Sequence, residues 1–100
     1  MEAIVKENTI EFVAKTNLVA SNLDNQLSLI KDTLSKNPSV ETIVLNLGNV
    51  TEIDSMGINL VVGLYKQVHA ENRKFTVTNT SRAILNLFNL FKLTSYFEVS

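Results

Sequence analysis

Val44-Leu45-Asn46-Leu47-Gly48-Asn49-Val50-Thr51-Glu52-Ile53-Asp54-Ser55-Met56-Gly57 is where one hydrophobic pattern gives way to another. Before it, Ile43, Val44, Leu45 and Leu47 form an almost unbroken apolar run around Asn46, which predicts a central strand covered on both faces. After it, Met56, Leu60, Val61, Leu64, Tyr65 and Val68 recur at helical spacing, so a helix should follow and end near Asn72. Gly48 to Asp54 is then a short strand-to-helix connection, with Asp54 placed to cap the helix.

The same reading extends in both directions. Upstream, Leu23, Leu27, Ile30 and Leu34 make a helical stripe, with Asn22 as its N-cap and Asn37-Pro38 as its stop. Ala3 to Glu7 and Thr9 to Ala14, separated by Asn8, read as an opening hairpin with Ile10, Phe12 and Ala14 on one face. Downstream, Phe75 to Thr78 is a strand. Ile84, Leu85, Phe88 and Phe91 mark a third helix begun by Thr80 or Ser81, and Tyr96 to Val99 is a short strand at most. Two strands followed by three helix–strand units give an α/β sandwich. Its mixed, mostly parallel sheet has about five strands, an N-terminal antiparallel hairpin and three helices. With a single Pro, three Gly and no linker-like stretch, residues 1–100 read as one domain.

Composition narrows the function. Nine basic against ten acidic side chains, without a basic cluster, lack the electrostatic footprint of a nucleic-acid binder. The absence of Cys removes disulfides, thiol catalysis and thiolate metal sites, and fits a cytoplasmic location. Glu2, Lys6, Glu7, Glu11 and Lys15 interrupt the first twenty residues, so neither a signal peptide nor membrane insertion is expected.

Enzyme chemistry finds few candidates. No glycine-rich phosphate or dinucleotide fingerprint occurs. His69, the only histidine, lies fourteen residues beyond Ser55 along the same expected helix. That places the two roughly 21 Å apart, too far for a Ser–His pair. His69 reads as an exposed residue suited to the helix C-terminus. Glu52 and Asp54 lack the further acidic pair and lysine that a phosphate-and-magnesium site of the receiver type would need. Neither a cofactor nor a bound metal is expected.

The chain resembles the STAS-domain proteins of the anti-sigma-factor antagonist type. The resemblance is carried by Ile43-Val44-Leu45-Asn46-Leu47, Ile53-Asp54-Ser55-Met56-Gly57 and Val62-Gly63-Leu64-Tyr65-Lys66-Gln67-Val68, with weaker support from Arg82 to Phe88 and Leu90, Phe91 and Leu93. It implies a STAS-type fold and a non-enzymatic switch. In such a switch the unphosphorylated protein binds an anti-sigma factor with serine kinase activity, and phosphorylation at Ser55 abolishes binding. A serine phosphatase of the metal-dependent type would restore it.

Elementary physics agrees with that role for Ser55. A hydroxyl in the first turn of a helix lies beside unpaired backbone N–H groups, where a phosphate is tolerated. The modification adds about 1.5 to 2 negative charges next to Asp54 and Glu52, which a docked partner would have to desolvate. The expected partner surface is Asp54, Ser55, Met56, Gly57 and Ile58, bordered by Ser21 and Asn22. Gly57 suits close approach of a partner's backbone or packing on the sheet. Met56 and Ile58 fit either contact or core, with the core favoured for Met56.

The sequence departs from the family pattern in three places. Asn17-Leu18-Val19-Ala20 has Val19 where relatives commonly carry an aspartate, and Glu52 replaces an aromatic or apolar residue. No counterpart of the amphipathic helix that closes many relatives is expected within residues 1–100, which would leave one sheet face less covered or completed by another molecule. The alternative function is a STAS interaction module of a non-sigma signalling scaffold or lipid-transport complex. A small nucleotide-binding protein would instead need a ligand pocket at the strand ends.

Overall fold

Glu7 and Asn8 form the two-residue turn of the opening hairpin, with Glu7 in the left-handed region at φ 55°. The computed structural model describes all of residues 1–100. The turn joins β1 (Glu2–Lys6) to β2 (Thr9–Val13) in antiparallel register, Lys6 opposite Thr9 and Glu2 opposite Val13. A 3-10 turn over Ala20–Asn22 leads into α1 (Asp24–Lys36), and β3 (Thr42–Asn46), α2 (Ser55–Ala70), β4 (Lys74–Thr78) and α3 (Arg82–Leu90) follow. A second 3-10 turn, Leu93–Ser95, precedes the two-residue β5 (Glu98–Val99).

The sheet order is β1-β2-β3-β4-β5, with every pair after the hairpin parallel. This is the expected mixed α/β sandwich. A sheet built outward in one direction through right-handed crossovers puts every crossover helix on the same side. Burial alternates accordingly. Ile10, Phe12, Ile43, Leu45, Phe75 and Val77 are buried on the helical side, joined there by Ile30, Leu34, Val61, Ile84 and Phe88 in one core. Their neighbours Glu11, Val13, Val44, Asn46, Thr76 and Thr78 are only partly buried. The expectation that both faces of the central strand are covered is therefore corrected: Val44, between Glu11 and Thr76 on the open face, made an alternating strand look continuously apolar.

Two helix readings also change. Leu27 is 42% exposed, and the buried stripe of α1 runs through Leu23, Gln26, Ile30, Thr33 and Leu34 instead. Phe91 is 52% exposed because α3 ends before it, leaving Ile84 and Phe88 as its core residues. Ser81, not Thr80, caps α3: its hydroxyl accepts a hydrogen bond from the Ile84 N–H at 3.2 Å. No helix is long and apolar enough to cross a membrane.

Candidate functional site

Parallel strands bring the carboxyl ends of β2, β3 and β4 to one edge of the molecule, where loops to the three helices begin. Two of these loops are tied together residue by residue. The Asn17 amide oxygen accepts hydrogen bonds from the Thr51 and Glu52 N–H groups at 2.9 and 3.2 Å and from the Thr51 hydroxyl at 3.2 Å. Leu18 pairs with Ile53 as a parallel bridge: the Leu18 N–H donates to Glu52 O, and Leu18 O accepts from the Asp54 N–H. Leu18 is fully buried, so this strap forms part of the core.

Asp54 completes the connection from both carboxylate oxygens. Oδ1 accepts from the Gly57 N–H at 2.9 Å, the ordinary bond of an N-cap, and Oδ2 accepts from the Ala20 N–H at 2.8 Å. These bonds, that from Ala20 first, favour the ionised form and hold the Asp54 carboxyl below the usual aspartate range. Replacing Asp54 with Asn keeps an oxygen for Gly57 but presents an NH2 group to the Ala20 N–H. Hydrogen exchange of Asp54→Asn should therefore show the Ala20 amide losing protection while Gly57 retains it, and Asp54→Ala should release both. Equal protection of Ala20 in all three proteins would show that the carboxylate does not hold the loop. Because the folded protein lowers this proton affinity, Asp54 contributes fully above the ordinary aspartate range, and its contribution disappears as pH falls through the depressed value. The same Ala20 amide should consequently lose protection in acid.

Gly57 has a steric reason to be glycine. A Cβ there would lie 2.0 Å from Leu18 O and 2.8 Å from Ile53 Cγ2. The backbone that Gly57 admits is thus the chain's own strap. Gly57 is buried and Ile58 is 7% exposed, so neither is part of the accessible surface expected for a partner. Met56 is the reverse case: 51% exposed, it belongs to the surface rather than the core.

Ser55, the first residue of α2, is exposed. Asp54, before it in the chain, borders a shallow hollow of about 370 Å³ whose apolar lining comes from Val19, Ile53, Ala83, Ile84 and Leu87. Met56, after it, borders a groove of about 400 Å³ between α1 and α2, lined by Leu23, Leu27, Ile30, Leu60 and Leu64. Glu52 stands at the rim of the first hollow with its side chain exposed.

Ser21 is exposed in the 3-10 turn near this mouth, but Asn22 does not cap α1. The Asn22 side chain turns back to accept from the Val19 N–H at 3.4 Å, and α1 begins only at Asp24. The bond from Ala20 to Asp54 holds this segment in a tighter turn before the helix starts. Sequence reasoning missed Asn17, Leu18 and Ala20 as the residues that position the mouth, and Ala83 and Leu87 as part of its apolar surround. An Asn in a loop is a recognisable backbone-bonding residue, but its partners lie 34 and 35 positions away, beyond any local pattern. His69 is exposed near the C-terminus of α2 and stacks on Tyr65 with ring centroids 5.5 Å apart.

Solved structures share this architecture. TM1081 of Thermotoga maritima, provisionally described as an anti-sigma factor antagonist, is 17% identical, with 98% of this chain and 83% of that one covered at a TM-score of 0.88. The Bacillus anti-sigma factor antagonist SpoIIAA in its unphosphorylated form is 19% identical, with 99% and 86% covered at a TM-score of 0.75. SpoIIAA is also known in a phosphorylated form, which matches equally well, at a TM-score of 0.75. The murine anion transporter Slc26a9 contains the same fold: 92% of this chain matches 16% of that protein, at 15% identity and a TM-score of 0.78. The family model described as STAS domain matches residues 1–100, and the chain belongs to that family.

Proposed function

We propose that this protein is an anti-sigma-factor antagonist whose binding is switched at Ser55. Unphosphorylated, it binds an anti-sigma factor that is also a serine kinase, and so frees the sigma factor. The observation that carries this reading is an exposed Ser55 at the mouth of α2, between two apolar depressions on a surface that docking could cover. In the modifying step the Ser55 hydroxyl oxygen attacks the γ-phosphorus of ATP held by the kinase. An oxygen–phosphorus bond forms, ADP leaves, and the hydroxyl proton passes to a base on the kinase. Asp54 is a poor base for this step, because two N–H groups occupy its oxygens and its proton affinity is lowered. A metal-dependent serine phosphatase would reverse the modification by hydrolysis, returning serine and inorganic phosphate. The protein itself acts through binding in the cytoplasm, without catalysis.

Intact-mass measurement of the protein from its native host, before and after phosphatase treatment, tests the reading. A single phosphate on the peptide holding Ser55, absent from Ser55→Ala, is expected. A phosphate on another residue after reaction with the cognate kinase would count against the switch. The Slc26a9 likeness favours a second reading, a STAS module docking within a different assembly. A native partner that is a transport protein rather than an ATP-dependent kinase would select it.

A further inference from the structure

We infer that the free edge of β1 is a self-association surface whose occupant is β1 of a second copy, paired antiparallel about Ile4. β1 lies at the end of the sheet, with β2 as its single strand neighbour. The two-residue turn makes Lys6 and Thr9 a hydrogen-bonded pair, so Lys6, Ile4 and Glu2 direct their backbone groups toward β2. Ala3 and Val5 therefore turn their N–H and C=O groups outward. Exposed apolar side chains flank this edge on both sides of the sheet, Ile4 at 41% and Val5 at 47%. Edges of this kind are ready templates for another strand unless charge or shape opposes pairing.

Here the charges select one arrangement. Glu2 and Lys6 are symmetric about Ile4 and share its face of the strand. Glu2 also pairs with Lys15 of its own chain at 3.2 Å, an exposed contact whose loss in a charge swap weighs on monomer and dimer alike. With the two-fold axis at Ile4, Glu2 of each copy faces Lys6 of the other, Ile4 faces Ile4, and Ala3 faces Val5. The outward groups of Ala3 and Val5 then meet as hydrogen-bonded pairs. The Ile4 and Glu2–Lys6 pairs take the closer, non-hydrogen-bonded positions, about 4.5 Å between Cα atoms. Parallel pairing in the same register would oppose Glu2 to Glu2 and Lys6 to Lys6. Moving the antiparallel axis to Ala3 or Val5 would set a charge against Ile4. The opposite edge, β5, has only two residues and no such pattern. The dimer is a continuous sheet with both sets of helices on one side. It leaves the Ser55 mouths free, because they lie at the strand ends rather than along this edge. A five-residue edge buries little surface, so the association is weak and visible at high concentration.

Sedimentation equilibrium of the full chain over a wide concentration range tests the pairing. The expected result is a monomer–dimer equilibrium. Glu2→Lys and Lys6→Glu should each weaken it about tenfold, since each turns both cross-strand charge pairs repulsive. The double swap Glu2→Lys/Lys6→Glu should return it to near the original strength. Val5→Pro removes an outward N–H without touching the β2 ladder and should abolish association while circular dichroism reports an intact fold. A protein that stays monomeric at every concentration overturns the inference. So does a dimer indifferent to Val5→Pro, or one that the double swap fails to restore.

Discussion

Phosphorylated at Ser55, the protein is expected to keep its fold and lose its partner by about a thousandfold, the equivalent of about 4 kcal/mol. Both halves of that outcome come from the position of the residue. Ser55 is exposed at the start of α2, so its phosphate displaces no core side chain and lies where backbone N–H groups and the helix end favour an anion. A partner covering the mouth would have to strip water from about 1.5 to 2 added charges, with Asp54 beside them already ionised. Ser55→Ala should bind as the unmodified protein does and resist the kinase. Its stability should stay within about 0.5 kcal/mol of the parent, because the change is at an exposed surface position. Calorimetry with the cognate kinase–anti-sigma factor, using the serine, alanine and phosphoserine proteins, measures all three. Equal affinity for the phosphorylated and unmodified proteins would leave Ser55 without a switching role.

The second large effect concerns two glycines of one helix that should respond with opposite signs. Gly57→Ala forces a methyl group onto Leu18 O, at 2.0 Å, a backbone carbonyl of a fully buried residue that has no flexible end to yield. Either α2 or the Leu18–Ile53 bridge must move, and a loss of about 3 kcal/mol is expected, the upper part of the range for forced overpacking. For a chain of 100 residues this lowers the thermal midpoint by about 15 °C. Gly63→Ala meets nothing within 4 Å and gains helix propensity, so it should stabilise by about 1 kcal/mol. Thermal unfolding of the two variants decides the matter: a neutral Gly57→Ala would mean that α2 does not press on Leu18 in solution.

Much of this arrangement was legible in the residues, because hydrophobic period and turn chemistry are local. The hairpin around Asn8, the three helices and the parallel succession of strands all follow from runs of fewer than twenty residues. Asp54 as a cap and Ser55 beside it were legible for the same reason. The exchange between Met56 and Ile58 was a matter of helical phase. Met56 shares its side of α2 with Asn59 and Gly63, which line the α1–α2 groove, whereas Ile58 and Val61 turn toward the sheet. Following the polar positions as well as the apolar ones would have separated the pair. Asn22 could not be read locally. Its turn is held by Asp54, 34 residues beyond Ala20, and only the fold brings that carboxylate within reach.

The aromatic cluster at the far end of α2 follows from the same geometry. Tyr65 packs against Phe97 at 5.3 Å, Tyr96 at 6.1 Å and Phe75 at 6.4 Å between ring centroids. The chain has no tryptophan and only two tyrosines, so its intrinsic ultraviolet emission comes from Tyr65 and Tyr96. Tyr65 is ten residues, about 15 Å along the helix, from Ser55. The protein therefore carries a built-in optical gauge of how its last strand is seated, one remote from the helix mouth. A change in tyrosine emission on modification of Ser55 would register a disturbance propagated ten residues along α2.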